Sequence, residues 1–239
     1  LNIHKTKDLY RIDNVIPDQV GDDVWVRKSL RIISEFKPDS LSLHDDLNSL
    51  HIRHKTTAMA HADNLSIGVF IDGGYFAKID EGLEDRKMGM VNVKGLFQYI
   101  PDMIARHFGI DRKLLYITEA HYYRGRFKAS DANKRNLLMK ERQFEDSLIE
   151  NDIIFHYKRL RPQESGGIIE KGIDTWFALD TYEMTLYRDF DYVVLISGDA
   201  DHEMLARKLK ALKTHTILLT WDPANTGSTS RFLSEEVCT

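Results

Sequence analysis

Several features that define other protein classes are scarce in this chain of 239 residues. Its one cysteine, Cys238, cannot form an intramolecular disulfide or a thiolate metal cage. This scarcity favours a reducing, cytoplasmic setting. No apolar run approaches the roughly 18 residues needed to span a membrane. The net charge of −4 argues against a general nucleic-acid coat, although a local basic groove remains compatible with it.

From Ile67 onward, the chain alternates short apolar runs with longer amphipathic segments. The apolar runs have the usual length of strands and cover residues 67–71, 113–118, 152–157, 192–196 and 215–220. Helical spacing is found at residues 92–108, 130–150, 173–187 and 200–213. Alternation of this kind predicts an α/β fold, a three-layer α/β/α sandwich with a mostly parallel central sheet.

Residues 1–64 have a different pattern and predict a separate N-terminal helical appendage. One helical spacing joins Val24, Val26, Leu30, Ile33 and Phe36. A second joins Leu43, Leu47 and Leu50. We expect these helices to pack on the main domain, residues 65–239, or to bind a protein partner or a second copy of the chain.

Acidic residues stand at the carboxyl ends of predicted strands, where open parallel sheets bind their ligands. Asp72 follows the first strand, and Asp199 and Asp201 follow the fourth. The segment EKGIDTWFALD places Lys171 and Asp174 at the beginning of a helix. If the strands are neighbours, four acids from three segments converge on one edge of the sheet.

Converging carboxylates raise one another's pKa unless a cation neutralises them. A cluster of oxygen ligands suits Mg²⁺ or Mn²⁺, which activate water and stabilise charge at a phosphate. The competing interpretation is that each acid only caps the next helix. The Asp199 and Asp201 pair argues against it, since one cap needs one carboxylate. His202, beside this pair, either contacts a leaving phosphate or simply packs or faces solvent.

The segments VFIDGGYF, EKGIDTWFALD and LISGDADHEML occur in the order found in the NYN domain family. Over residues 67–220 the chain resembles this family, in the LabA-like branch of the PIN-like nucleases. The resemblance implies a PIN-like α/β/α sandwich and metal-dependent endonuclease activity, usually on RNA. It also implies that the catalytic and metal-binding acids are Asp72, Asp174, Asp199 and Asp201.

Three further positions take their significance from the resemblance. Ser197 matches a small hydroxyl residue before the last acid pair, and Asp180 matches an acid on the middle helix. Asp180 lies six residues beyond Asp174, so the two do not share a helical face. Tyr75 stands where many relatives carry Asn. It either stacks on a base or packs inward.

The segment EAHYYRGRFKASDANKRNLLMKER mixes aromatic and basic residues after the second predicted strand. Basic side chains neutralise phosphates, and aromatic rings stack on unpaired bases. We predict that the substrate-binding residues are Tyr75, Tyr122, Arg124, Arg126 and Lys128. The alternative is a solvated helix face with aromatic core residues, which we prefer for residues 134–142.

Together these patterns predict a metal-dependent endoribonuclease that hydrolyses phosphodiester bonds of single-stranded RNA, with Mg²⁺ or Mn²⁺ as cofactor. Two alternatives remain open. The same acids could serve a phosphomonoesterase or a DNA nuclease. The chain could also be a non-catalytic regulatory, RNA-binding or interaction module.

Overall fold

A computed structural model describes residues 3–6, 9–12, 30–35, 64–85, 87, 89–162, 168–221, 230 and 232–233. The strands are β1 (Ile3–Thr6), β2 (Leu9–Ile12), β3 (Leu30–Glu35), β4 (Leu65–Asp72), β5 (Leu115–Arg126), β6 (Ile154–Arg159), β7 (Arg161–Pro162), β8 (Ile168–Ile169), β9 (Tyr192–Ile196) and β10 (His215–Trp221). The α-helices are α1 (Gly73–Asp85), α2 (Val93–Phe108), α3 (Ala129–Lys134), α4 (Leu138–Glu150), α5 (Ile173–Arg188) and α6 (Glu203–Ala211). Short 3₁₀ turns cover Arg112–Leu114 and Ala200–His202.

The central sheet has six strands in the order β3-β10-β9-β4-β5-β6. Strands β10, β9, β4, β5 and β6 run parallel, and β3 joins the edge antiparallel to β10. The chain leaves β4 for β5 on one side and later returns to β9 on the other side. The carboxyl ends of β4 and β9 therefore form the switch point where open α/β sheets bind ligands.

Helices cover both faces of the sheet, and alternate residues of β4 divide between two cores, as strand geometry requires. Ile67, Val69 and Ile71 pack with buried residues of α1, α2 and α4. Phe70 packs with buried residues of α5 and α6 on the other face. The predicted three-layer sandwich with a mostly parallel sheet is thus confirmed.

The ends of α2 follow from its sequence. The Asn92 side chain accepts a hydrogen bond of 2.9 Å from the Gly95 amide, which caps the first turn. Gly109 ends the helix in the left-handed region at φ 68°, where glycine carries no steric penalty. Pro101 lies buried inside the helix, which continues on both sides of it.

The N-terminal prediction is wrong where it can be compared. Leu30 and Ile33 lie in strand β3, not in a helix, because the backbone of this segment pairs antiparallel with β10. Strands β1 and β2 pair with each other antiparallel, with Ile3 opposite Ile12 and Thr6 opposite Leu9. The second predicted helix and its partner surface lie outside the described residues. The division at residue 64 stays a prediction.

Three other elements differ from the prediction. Helix α1 was missed, and β5 runs to Arg126 rather than ending at Thr118. The helix predicted at 130–150 is split into α3 and α4, since Asn136 adopts φ 58°. Within the described part of the chain, no helix is long and apolar enough to cross a membrane.

Candidate active site

Asp72, the last residue of β4, is the buried member of the acid group, with 6% of its surface exposed. Its Oδ1 accepts a hydrogen bond of 3.0 Å from the amide of Tyr75 in the first turn of α1. Its Oδ2 accepts one of 2.9 Å from the Ser197 hydroxyl. Both oxygens are therefore held in fixed directions, one by the helix it begins and one by the neighbouring strand end.

The fully buried hydroxyl of Ser197 links Asp72 to His202. The His202 Nδ1 lies 2.8 Å from Ser197 Oγ, and the amide of Asp199 donates to the same oxygen at 3.2 Å. Since a carboxylate only accepts, the one hydroxyl hydrogen goes to Asp72. Nδ1 must then carry the imidazole hydrogen and donate it to Ser197. This accounting places a hydrogen on Nδ1 of His202.

The His202 ring is packed as well as hydrogen-bonded. It is 1% exposed and lies 4.5 Å from the Phe177 ring, centroid to centroid. Its Nε2 is buried and has no hydrogen-bond partner among the described residues. His202 is therefore part of the buried support for the acids, not a solvent-facing side chain.

Asp199 and Asp201 lie on the solvent side of the same strand end. Both side chains are exposed. The Asp199 Oδ1 accepts a hydrogen bond of 3.1 Å from the Asp201 amide, so Asp199 caps the 3₁₀ turn. The capping interpretation thus holds for one oxygen of Asp199, while its second oxygen and the Asp201 carboxylate are not needed for the cap.

Asp174 brings the third segment to the group from the first turn of α5. Partial burial raises the pKa of its carboxyl, and the charges of Asp72, Asp199 and Asp201 raise the pKa further, while His202 lowers it. The four predicted acids therefore lie close enough to interact electrostatically. Their repulsion is the condition that a bound cation relieves.

The donors of this acid group fit a hard divalent cation by chemistry, since all are carboxylate oxygens and their charges add. The acid group is not, however, a complete metal-coordination site. In the part of the chain that the structure describes, no three His, Cys, Asp or Glu residues are close enough to form a ready-made metal site. The buried Asp72 would be the fixed ligand, and the exposed acids would close on the cation.

The sequence of the chain also matches a known protein family. The NYN domain family model matches residues 66–237, well over half of the chain. The chain belongs to the NYN domain family. No curated protein matches it significantly.

A solved structure shares the fold of this NYN domain. It is a protein of unknown function from Vibrio parahaemolyticus, 17% identical, with a TM-score of 0.50. The alignment covers 74% of this chain and 92% of that one. At this identity the likeness concerns the fold alone.

Two predicted accessory residues of the NYN domain differ in their relation to the acids. Lys171 is exposed just before α5, close in sequence to Asp174. Asp180 lies two turns further along the helix and accepts a hydrogen bond of 3.3 Å from the Tyr123 hydroxyl. It faces the β5 side of the core, and it is not among the charges that raise the pKa of Asp174.

The prediction that Tyr75 and Tyr122 contact substrate is wrong for this conformation. Tyr75 is 6% exposed, and its hydroxyl accepts a hydrogen bond of 2.8 Å from the Trp221 amide in β10. Tyr122 is 1% exposed and lies in the core beneath α1. Both rings fill the space between helix and sheet, because their positions on α1 and β5 point inward.

The basic residues predicted to bind substrate lie at the end of β5 and beyond. Arg124 and Arg126 belong to the strand and are half-buried, whereas Lys128 follows it and is exposed. Arg126 forms an ion pair of 2.8 Å with Glu145. Lys128 is therefore open to solvent, whereas Arg126 is already engaged in the fold.

Two buried acids beside this strand end were not predicted from the sequence. Asp80 on α1 is 7% exposed and Glu145 on α4 is 4% exposed. Each stands on the apolar stripe of its helix, near Phe76 and Leu83 or near Leu148. An acid inside an apolar stripe is the signal that could have revealed them, since buried charges are rare without a partner.

Proposed function

We propose that the chain is a metal-dependent endoribonuclease acting on single-stranded RNA. The observation that carries the proposal is the convergence of Asp72, Asp174, Asp199 and Asp201 at the switch point of a parallel sheet. Membership of the NYN family supports a nucleic-acid substrate. The presence of four carboxylates at one edge of the sheet has a physical reason if they neutralise a cation there.

Asp72, Asp174, Asp199 and Asp201 would hold Mg²⁺ or Mn²⁺ at this edge. Such a cation, when bound, supplies Lewis acidity toward a phosphate and lowers the pKa of water. Ser197 and His202 keep Asp72 Oδ2 aimed at the edge. Because Ser197 gives its only hydrogen to Asp72, its oxygen is not prepared to act as a nucleophile.

The RNA backbone would run across the carboxyl edge of the sheet past exposed cations. Lys128 follows β5, and Lys158 near the end of β6 lies 3.5 Å from the Gly172 carbonyl through its Nζ. Lys171 stands beside that carbonyl in sequence. These three ammonium groups offset the repulsion between phosphates and the acid group.

Incubation of a labelled single-stranded RNA with purified protein tests the proposal. We expect cleavage with Mn²⁺ or Mg²⁺ that EDTA stops. Asp199→Asn should slow cleavage on the order of 10²-fold, as expected for loss of one electrostatic contact at the transition state. Asp152→Asn is the matched control, because Asp152 is exposed and its φ of 55° suits asparagine.

Three outcomes would sink the proposal. Equal activity of the wild type and Asp199→Asn would remove the acids from the chemistry. Cleavage of a nitrophenyl phosphate with RNA left intact would indicate a phosphomonoesterase. RNA binding without metal-stimulated cleavage would indicate a non-catalytic module.

A further inference from the structure

Strand β6 forms one edge of the central sheet. It pairs with β5 on one side, and no strand in the described part of the chain pairs with its other side. The Leu160 amide, directly after β6, donates a hydrogen bond of 2.9 Å to the Arg126 carbonyl of β5. Backbone groups alternate in direction along a strand, so the even-numbered residues of β6 face β5. Phe155 and Tyr157 therefore direct their amides and carbonyls outward, where no described residue bonds to them.

The middle of β6 lacks the features that usually keep an edge strand from pairing further, which are charged side chains, proline and bulges. Residues 154–157 are isoleucine, phenylalanine, histidine and tyrosine. Their pairing with β5 runs without a register shift. The Ile154 side chain is 53% exposed. The free side of this segment is therefore a regular and mainly apolar edge.

The charges at the two ends of β6 have opposite signs. Glu150 and Asp152 precede the strand, Lys158 and Arg159 end it, and each of these side chains is exposed. Within the described ranges, Asp152 and Arg159 form no ion pair. Antiparallel pairing of two such strands brings each acidic end to a basic end, whereas parallel pairing brings like charges together. The strand is thus electrostatically complementary to an antiparallel copy of itself.

One register suits both the backbone and the charges. In an antiparallel pair, the residues that exchange hydrogen bonds stand directly opposite each other. Phe155, which faces outward, can therefore stand opposite Phe155 of a second copy. Arg159 then lies opposite Asn151 of that copy. Asn151 stands between Glu150 and Asp152, so the guanidinium has an acid on either side. A shift of the axis toward the carboxyl end of β6 moves Arg159 away from both acids.

Exposed apolar side chains flank this edge on both faces of the sheet. Helix α4 leads into β6, and Ile149 in its last turn is exposed. On the other face, the Trp176 ring of α5 packs at 5.3 Å from the His156 ring, centroid to centroid. Leu179, about one turn further along α5, is exposed as well. A sheet that continued through β6 would bring these helices beside those of the second copy and bury apolar surface.

We propose that β6 binds β6 of a second copy of this chain, antiparallel about a two-fold axis at Phe155, so that two sheets become one continuous sheet. A two-fold axis of this kind makes the interface self-complementary. The inference goes beyond the proposed function and does not depend on it. Because the paired strands run in opposite directions, the carboxyl edges of the two sheets point away from each other. Each acid group then stays open to its own RNA.

Light scattering of the full chain over a range of concentrations tests the association. We expect the mass to rise toward twice the 27.7 kDa of one chain. Ile154→Lys should raise the dissociation constant of the dimer by about tenfold or more, as for a residue at the centre of an interface. Met204→Lys is the matched control, because Met204 is 54% exposed on α6, on the far side of the sheet. It should associate like the wild type.

A charge exchange tests the orientation of the two strands. Asp152→Lys and Arg159→Glu should each weaken the dimer roughly two- to fivefold, the size expected for exposed ion pairs. The double variant should regain the affinity of the wild type, since each end then meets its opposite charge again. Lysine suits the backbone at Asp152, where φ is 55°, because Lys87 and Lys213 adopt φ of 58° and 59°.

Three results would overturn the inference: a monomer at all concentrations, a dimer that Ile154→Lys leaves unchanged, or a double variant no tighter than the single ones. A monomer would leave the edge of β6 to an extended peptide from another protein. Cleavage of RNA is measured separately, and monomeric Ile154→Lys should cleave as the wild type does. A dimer that cleaves no RNA would end the nuclease proposal and leave this inference standing.

Discussion

At the scale of single residues, the acid group is asymmetric. Asp72 is buried and held at both oxygens, while Asp174, Asp199 and Asp201 are exposed. The buried carboxylate loses its conformational entropy during folding, so orienting it costs no further free energy when a ligand binds. The exposed acids can move to meet a cation. This difference in burial explains why the four acids interact electrostatically without forming a complete metal-coordination site.

The link from His202 through Ser197 to Asp72 predicts a positioning effect. His202→Phe keeps the ring on Phe177 but removes the donor to Ser197. We expect the Mn²⁺ concentration for half-maximal cleavage to rise roughly tenfold, as for other residues that orient ligands. Ser197→Ala should act similarly.

The double variant of His202 and Ser197 separates positioning from simple loss of packing. Because both residues act through one hydrogen-bond chain, their effects on the Mn²⁺ dependence should be less than additive. His215→Phe is a matched control at the amino end of β10, far from this edge. An unchanged Mn²⁺ dependence in His202→Phe would contradict the positioning role.

At the scale of elements, α1 is fixed against β5 by a glycine. A Cβ on Gly73 would stand 2.6 Å from the Tyr123 carbonyl oxygen, which belongs to the backbone and cannot turn away. We expect Gly73→Ala to lower the free energy of unfolding by about 1–3 kcal/mol, as overpacking does. Gly82 in the same helix has open space around its Cβ position. Gly82→Ala should raise it by about 0.5–1 kcal/mol.

Urea unfolding of the two variants measures both effects. Since α1 begins directly after Asp72, Gly73→Ala should also weaken Mn²⁺-dependent cleavage, whereas Gly82→Ala should leave it unchanged. Equal stability of the two variants would mean that α1 can move away from β5 without loss.

The element that the sequence least revealed is β5. The mixture of basic and aromatic residues at its end fits a solvent-exposed loop as well as a strand, because Arg124 and Arg126 lie among aromatic residues. Pairing decides the matter: Asp72 lies opposite Tyr123, and Arg124 lies opposite Tyr157. Neither register is visible in a single sequence. Burial of Tyr122 follows from this pairing, so its predicted role at the substrate failed for a tertiary reason.

At the scale of the whole molecule, the repeated strand and helix pattern was sufficient to predict the parallel sandwich and the edge at which the acids meet. The sixth strand was not predictable in this way. Strand β3 joins β10 from a distant part of the chain, and its short apolar run fits a helix or a strand equally by spacing alone. Local patterns identify elements that repeat, whereas an edge strand depends on the partner that it meets.

The two histidines beneath α5 make the stability of the whole fold depend on pH. Burial lowers the pKa of His121 below 6.5, and burial together with His121 lowers the pKa of His156. Their Nδ1 and Nε2 atoms lie 3.0 Å apart, so only one proton fits between them. The folded state therefore binds fewer protons than the unfolded state just below pH 6.5. Stability is full above that pH and is lost as the pH falls.

Urea unfolding at several pH values tests this expectation. The free energy of unfolding should fall by about 1–2 kcal/mol between about pH 7 and about pH 5.5, since each shifted group contributes up to about 1.4 kcal/mol per pH unit. Asp80 and Asp174 act with the opposite sign, because their raised pKa values favour the protonated folded state in a pH window that begins at 3.8 and extends upward. His156→Gln should make the slope near pH 6 shallower. The same slope in that variant would show that the acid sensitivity arises elsewhere, because removing one of two coupled protonation sites must change the number of protons taken up on unfolding.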